Sequence, residues 1–379
     1  MKHRLLNIAS KTSFVIFVYI FGAIFAPLQI STGSWSKISR QPRNPTALTE
    51  PAAQSTSTPT PSPTPTATAQ TTGRVASSRA ATGSTTYRSG NPFAGERLYV
   101  DPDSNPAKQV RAWSSSRPGD AALMNKIASQ PMAIWMGDWD TNPATTAREI
   151  TSAARGSGAL PLLVLYNIPI RDCGSYSAGG ADSATSYKSW INAVQAGSSG
   201  AKTVFILEPD AVAGWDCLSP TQKNERVALL QYAIDTLTSS PNHYVYLDAG
   251  NAHWQSAQEI SQRLRDVGTN KLTGIALNVS NFFTTTESKN YGLQVSALTN
   301  GIHFVIDTSR NGQGALGGTS WCNPEGRGLG SPPQVMSGAL DALLWIKIPG
   351  ESDGSCNGGP ASGGWWPEYA LSLIQRAAF

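Results

Sequence analysis

The feature that most constrains this chain is an apolar run that stops on an aspartate, met four times. It appears in Leu162-Leu-Val-Leu-Tyr-Asn-Ile-Pro-Ile-Arg-Asp172, Lys202-Thr-Val-Phe-Ile-Leu-Glu-Pro-Asp210, Tyr244-Val-Tyr-Leu-Asp248 and Leu343-Leu-Trp-Ile-Lys-Ile-Pro-Gly-Glu-Ser-Asp353. Strands buried on both faces of a parallel sheet read as continuous apolar runs. In α/β barrels the chemistry sits at the C-terminal ends of such strands. Four carboxylates at four strand ends face one another across a shallow bowl, an arrangement suited to proton transfer. A lone aspartate after a strand can also cap the next helix. Asp248, before Ala249 and Gly250, fits that structural reading best, whereas Asp210 lies between Glu208-Pro209 and an apolar Ala-Val-Ala.

Seven apolar, β-branched runs start near Pro131, Leu160, Lys202, His243, Leu272, His303 and Ala342. Gly, Pro, Asn or Asp bounds each, as strand signals require. Between them, segments such as 221–237 and 256–267 repeat apolar residues at three- and four-residue steps, the helical period. Alternating strands and helices predict a parallel sheet with covered faces, in a barrel or a doubly wound sheet. No Gly-x-Gly-x-x-Gly follows a strand, so nucleotide binding lacks its fingerprint.

Charge divides the chain. Residues 1–90 hold nine Lys and Arg and a single acid, Glu50, so the net +4 of the 379 residues conceals a remainder of −4. The globular part therefore lacks the positive excess that nucleic acid requires. Lys2, Arg4 and Lys11 precede an apolar run over 14–26, which reads as a secretory signal or an uncleaved membrane tether. Either places the rest outside the cytoplasm. The signal or anchor is taken as 1–33. Residues 34–90 are a Pro/Thr/Ser-rich linker, centred on Thr58-Pro-Thr-Pro-Ser-Pro-Thr-Pro-Thr66, which cannot bury a core. No folded module is expected before residue 44. Residues 91–379 have the length of one α/β barrel.

Six motifs in order, Tyr166-Asn-Ile-Pro-Ile-Arg-Asp-Cys173, Leu207-Glu-Pro-Asp-Ala211, Asp248-Ala-Gly250, Asn278-Val-Ser-Asn281, Trp321-Cys-Asn-Pro324 and Trp345-Ile-Lys-Ile-Pro-Gly-Glu-Ser-Asp-Gly354, resemble the glycoside hydrolase family 6 cellulases over the whole of 91–379. The resemblance implies a distorted seven-stranded parallel α/β (TIM-like) barrel. It also implies hydrolysis of β-1,4-glucosidic bonds with inversion, which uses two carboxyls ~6.5–9.5 Å apart with a water between. By match to the family's motifs, Asp210 is the general acid, Asp172 the carboxylate that raises its pKa, and Asp353 the base. Tyr166 matches the tyrosine that crowds the sugar ring. Lys347 and Glu351 match residues that hydrogen-bond the adjoining glucosyl unit, and Asn278 and Arg327 join them as substrate-binding candidates. Asn251, Ile170 and Ile348 depart from the usual family residues, which bears on subsite contacts.

Ten of the eleven tryptophans follow residue 91. Trp113, Trp139, Trp190, Trp215 and Trp345 are expected in the core. Trp135, Trp254 and Trp321 fall at C-terminal sides of strands, where their faces can stack on the C–H faces of glucose, and the resemblance implies the same three. Four cysteines at spacings foreign to zinc sites predict two disulfides in an exported chain. The short-loop pairing, Cys173–Cys217 and Cys322–Cys356, agrees with the resemblance. Neither metal nor cofactor is expected, and the chain is expected to be monomeric. The loops 173–182 and 354–364 are short, which predicts an open cleft and cleavage of internal bonds. The alternatives are a chain-end cellobiohydrolase of the same family and a non-catalytic glucan-binding surface protein.

Overall fold

A computed structural model describes residues 90–317 and 321–379. The expected export segment, the 14–26 run and the linker up to residue 89 lie outside these residues. Among the described residues no helix is long and apolar enough to cross a membrane.

All seven expected runs are strands: β1 (Ile134–Gly137), β2 (Leu162–Tyr166), β3 (Thr203–Leu207), β4 (His243–Asp248), β5 (Gly274–Leu277), β6 (His303–Asp307) and β8 (Leu340–Leu344). They pair in parallel in that order. One short strand was not foreseen: β7 (Gln334–Val335) lies antiparallel on the outer edge of β8. Two exposed residues carry no periodic signal. β1 and β8 do not pair, so the barrel has a seam. Two bonds cross it, from the Ala133 amide to the Trp345 carbonyl (3.0 Å) and from Trp135 Nε1 to the Ile346 carbonyl (2.8 Å).

Period-two alternation along each strand builds two cores. Leu163, Leu165, Phe205, Leu207, Val245, Leu247, Ile275, Leu277, Phe304 and Ile306 face the helical layer. Leu162, Val164, Val204, Ile206, Tyr246, Ala276, Val305, Ala342 and Leu344 fill the barrel, joined by Phe93. The helical layer contains α3 (Pro143–Gly156), α4 (Ala184–Ser198), α5 (Pro220–Thr238), α6 (Ala257–Val267) and α7 (Thr285–Leu298). Ser219 with Gln222 and Thr284 with Glu287 form reciprocal caps that start α5 and α7, each cap contributing ~1 kcal/mol. A third cluster, around buried Trp345 and Trp113, packs α1 (Asn105–Trp113), α2 (Pro118–Ala128) and α8 (Pro367–Gln375) beside the seam.

Candidate active site

The strand ends open onto a cleft of about 1040 Å³. Its lining includes Asp172, Asp210, Asp353, Tyr166, Lys347 and Glu351, together with Trp135, Trp254 and Trp321. Strands place these residues at different depths. Tyr166 is the last residue of β2, while Asp210 stands three residues past β3, and Asp172 and Asp353 lie farther out on loops.

Asp210 sits in left-handed backbone (φ +70°), half-buried, and lines the cleft. Burial, reinforced by the charges of Asp248 and Asp172, pushes its carboxyl well above the usual carboxylate range. Asp248, at the end of β4, is also raised by burial, but its Oδ1 accepts the Asp210 amide (2.9 Å) and the Gly250 amide (3.0 Å). Those two donors favour a charged Asp248. In this coupled pair the proton therefore resides preferentially on Asp210.

Asp172 is raised by burial, opposed by an N–H donated from Ser177 (2.8 Å) and by the charge of Arg171. Tyr166, buried and raised by desolvation and by Asp210 and Asp172, meets Trp135 edge-on at 5.4 Å. Asp353 is buried against the fully buried Arg310, whose Nη1 donates to Oδ2 (2.8 Å), and the Asn323 amide donates to the same oxygen (3.0 Å). Lys347, lowered by burial, reaches the Ser352 carbonyl and stands 5.8 Å over the Trp135 ring. Glu351, raised by burial, accepts from Asn105 Nδ2 (3.0 Å). Among the described residues no group of three or more His, Cys, Asp or Glu is arranged to hold a metal ion.

Both disulfides join the expected partners, Cys173–Cys217 and Cys322–Cys356. Trp254 and Trp321 are exposed, and Trp113, Trp190, Trp215 and Trp345 are buried. Three placements correct the sequence reading. Trp139 is not core: it is 53% exposed and lines the cleft, its ring 5.5 Å from the Arg171 guanidinium. Asn278 is fully buried under the cleft wall, where its Nδ2 holds the Phe283 and Asp307 carbonyls. Arg327 does not line the cleft and donates instead to the carbonyls of Gln313, Gly314 and Glu325. The expectation of an open cleft also needs amendment. Ser177 and Ser362, on the two short loops, meet hydroxyl to hydroxyl at 2.7 Å. Tyr176 packs on the bare Cα of Gly354 and edge-on to Trp321 at 5.9 Å.

Two carboxylates behind the site escaped the sequence reading. Asp307, fully buried, accepts the amides of Ser280, Ser309, Ile346 and Lys347, which ties the loops after β5 and β8. His303-Phe-Val-Ile-Asp307 is a fifth apolar run stopping on an aspartate, so the signal was present. Glu208, pushed up to about 7 by burial, accepts the amides of Asn167 and Ile168.

Residues 93–377 match the model of the glycosyl hydrolases family 6. The chain is 46% identical over 285 residues to endoglucanase A of Cellulomonas fimi, an alignment covering 74% of this chain and 61% of that protein. It is 43% identical over 289 residues to endoglucanase 1 of Streptomyces halstedii, covering 73% and 88% respectively. The endoglucanase Cel6 of Mycobacterium tuberculosis, solved with methyl-cellobiosyl-4-deoxy-4-thio-β-D-cellobioside, superposes with a TM-score of 0.73 at 46% identity, over 76% of this chain and 99% of that one.

Proposed function

The chain belongs to glycosyl hydrolase family 6, and from that premise we propose that it is an endoglucanase that hydrolyses internal β-1,4-glucosidic bonds with inversion. The observation that carries this reading is that Asp172, Asp210 and Asp353 line the same cleft as Trp135, Trp254 and Trp321. Asp210 retains its proton near neutral pH and gives it to the departing glycosidic oxygen. Asp172 raises the affinity of Asp210 for that proton and orients the attacking water. Asp353, fixed by Arg310 and Asn323 through one oxygen, takes the water's proton. Tyr166, braced by Trp135, presses the ring undergoing cleavage out of its chair. Lys347 and Glu351 hydrogen-bond the neighbouring glucosyl unit. The indole faces carry successive sugars, with hydroxyls directed to the polar rim. The substrate is a β-1,4-glucan chain, the enzyme acts as a monomer outside the cytoplasm, and residues 14–26 serve as export signal or tether.

The Ser177–Ser362 contact favours a second reading, a chain-end cellobiohydrolase whose loops roof the cleft. The short loops and the naming of the C. fimi and S. halstedii relatives favour the endoglucanase. Carboxymethylcellulose separates them. An endoglucanase collapses viscosity while few reducing ends are released; accumulation of sugar at nearly constant viscosity refutes the assignment. Proton NMR of fresh product should show the α anomer first. Asp210→Asn should abolish hydrolysis of unactivated glucan and spare binding.

A further inference from the structure

Helix α5 turns one arginine inward. Arg226 is buried, and its guanidinium donates to the carbonyls of Pro169 (2.8 Å), Ile170 (3.0 Å) and Ala211 (3.1 Å). Pro169 and Ile170 lead into Asp172, and Ala211 follows Asp210. Glu208 ties the same two segments with the opposite polarity, its carboxylate taking the Asn167 and Ile168 amides at 3.0–3.1 Å. A guanidinium and a carboxylate buried together are costly unless their hydrogen bonds are met. Here they are met almost entirely by backbone of the two catalytic loops. That backbone is strained: Ile170, Asp172, Glu208 and Asp210 have φ of +57°, +53°, +46° and +70°. A β-branched residue such as Ile170 enters that region only when its surroundings enforce it.

We infer that Arg226 and Glu208 are positioning residues, a buried clamp that fixes the Asp172 carboxyl relative to Asp210. The inference rests on Asp210 being the acid. Arg226 faces Glu208, Tyr187 from α4 and Tyr166 from β2; Glu208 faces Tyr187, Tyr166 and Arg226; Asp210 faces Asp248, Asp172 and Tyr166. Because Asp172 helps raise Asp210, a slack clamp lets the Asp210 pKa fall. Activity that needs protonated Asp210 is lost as pH rises through that pKa, so the alkaline limb moves to lower pH.

The test uses full-length Arg226→Lys, which keeps the charge but loses the planar fork, and Glu208→Gln, which keeps the shape. Turnover of cellohexaose is measured across pH, alongside Asp210→Asn. The expected result is a kcat lower by about tenfold or more, KM within about twofold, and an alkaline limb displaced downward by ~0.5 pH unit or more. A lowered melting temperature with unchanged kcat and pH profile overturns the clamp and leaves a purely structural pair. If Arg226→Lys does not fold, Glu208→Gln decides by the same criteria. An active Asp210→Asn would instead sink the acid assignment, which keeps the two failures distinct.

Discussion

Replacing Arg310 with methionine tests whether Asp353 depends on its buried partner. The guanidinium is fully buried, 2.8 Å from Asp353 Oδ2, hydrogen-bonded to the Ser280 carbonyl and 4.3 Å over the Phe282 ring. Methionine has a similar volume but is shorter, ending near the position of Nε, so part of the loss is the space the guanidinium vacates, and the double-mutant cycle is what separates that part from the ion pair. What remains is Asp353, buried, charged, and supported by the Asn323 amide at 3.0 Å. Breaking a buried pair from one side costs ~3–5 kcal/mol, far above the ~1 kcal/mol limit for an exposed pair. At ~2–4 °C per kcal/mol for a domain of this size, the midpoint should fall by about 10 °C. Asp353→Asn alone should also destabilise, since it strands the arginine. The double variant should be less destabilised than the two singles summed, with a coupling of ~2 kcal/mol or more. Reversible urea unfolding at pH 7 with both disulfides intact supplies all four corners of the cycle. Additivity within ~0.5 kcal/mol would show that the pair is not energetically coupled, and the reasoning would be refuted.

Asp248→Asn keeps an acceptor for the Asp210 and Gly250 amides but removes a charge that raises Asp210. The Asp210 pKa should fall and the alkaline limb of kcat should move down by about one pH unit, ~1.4 kcal/mol; an unmoved limb shows that Asp248 is structural only. Trp254 is 42% exposed on the cleft rim, so Trp254→Ala should leave the melting temperature within about 1 °C. It should raise KM for cello-oligosaccharides about fivefold, the ~1 kcal/mol of one stacked ring, and an unchanged KM removes it from the sugar path.

The strands were legible because barrel strands are buried on both faces, so their apolar runs carry no competing pattern. Helices α5 and α6 were legible from their period, to within a residue or two of 221–237 and 256–267. What the sequence hid is orientation. Asn278 lies within a family-like motif, yet a motif fixes position along the chain and not which way the amide points; here it points away from the cleft, onto the Phe283 and Asp307 carbonyls. Trp139 follows a strand, where tryptophan is more often core, but the chain has already turned at Gly137, against whose Cα the ring lies. Arg226 occupies a helix that also carries Lys223 and Glu225, so nothing in the pattern distinguishes the one cation that turns inward. β7 is two residues long and gains its strand character only from β8. Asp307 differs, since its run repeats the pattern of the other four and required only the same reading.

The seam between β1 and β8 makes recognition and closure a shared duty of one side chain. Unpaired backbone beside a sheet exposes groups in search of partners; β7 covers β8 only at Ala342 and Leu343, and past the end of β8 the indole N–H of Trp135 meets the Ile346 carbonyl across the gap. That bond leaves Trp135 without a donor for sugar hydroxyls, so its contribution to a glucan is confined to its face. It also fixes the spacing between the two edges that flank this corner of the cleft. Truncating Trp135 therefore unfastens the wall as well as removing a platform. A comparison of Trp135→Ala with Trp254→Ala measures how much of this enzyme's grip on glucan is carpentry and how much is contact.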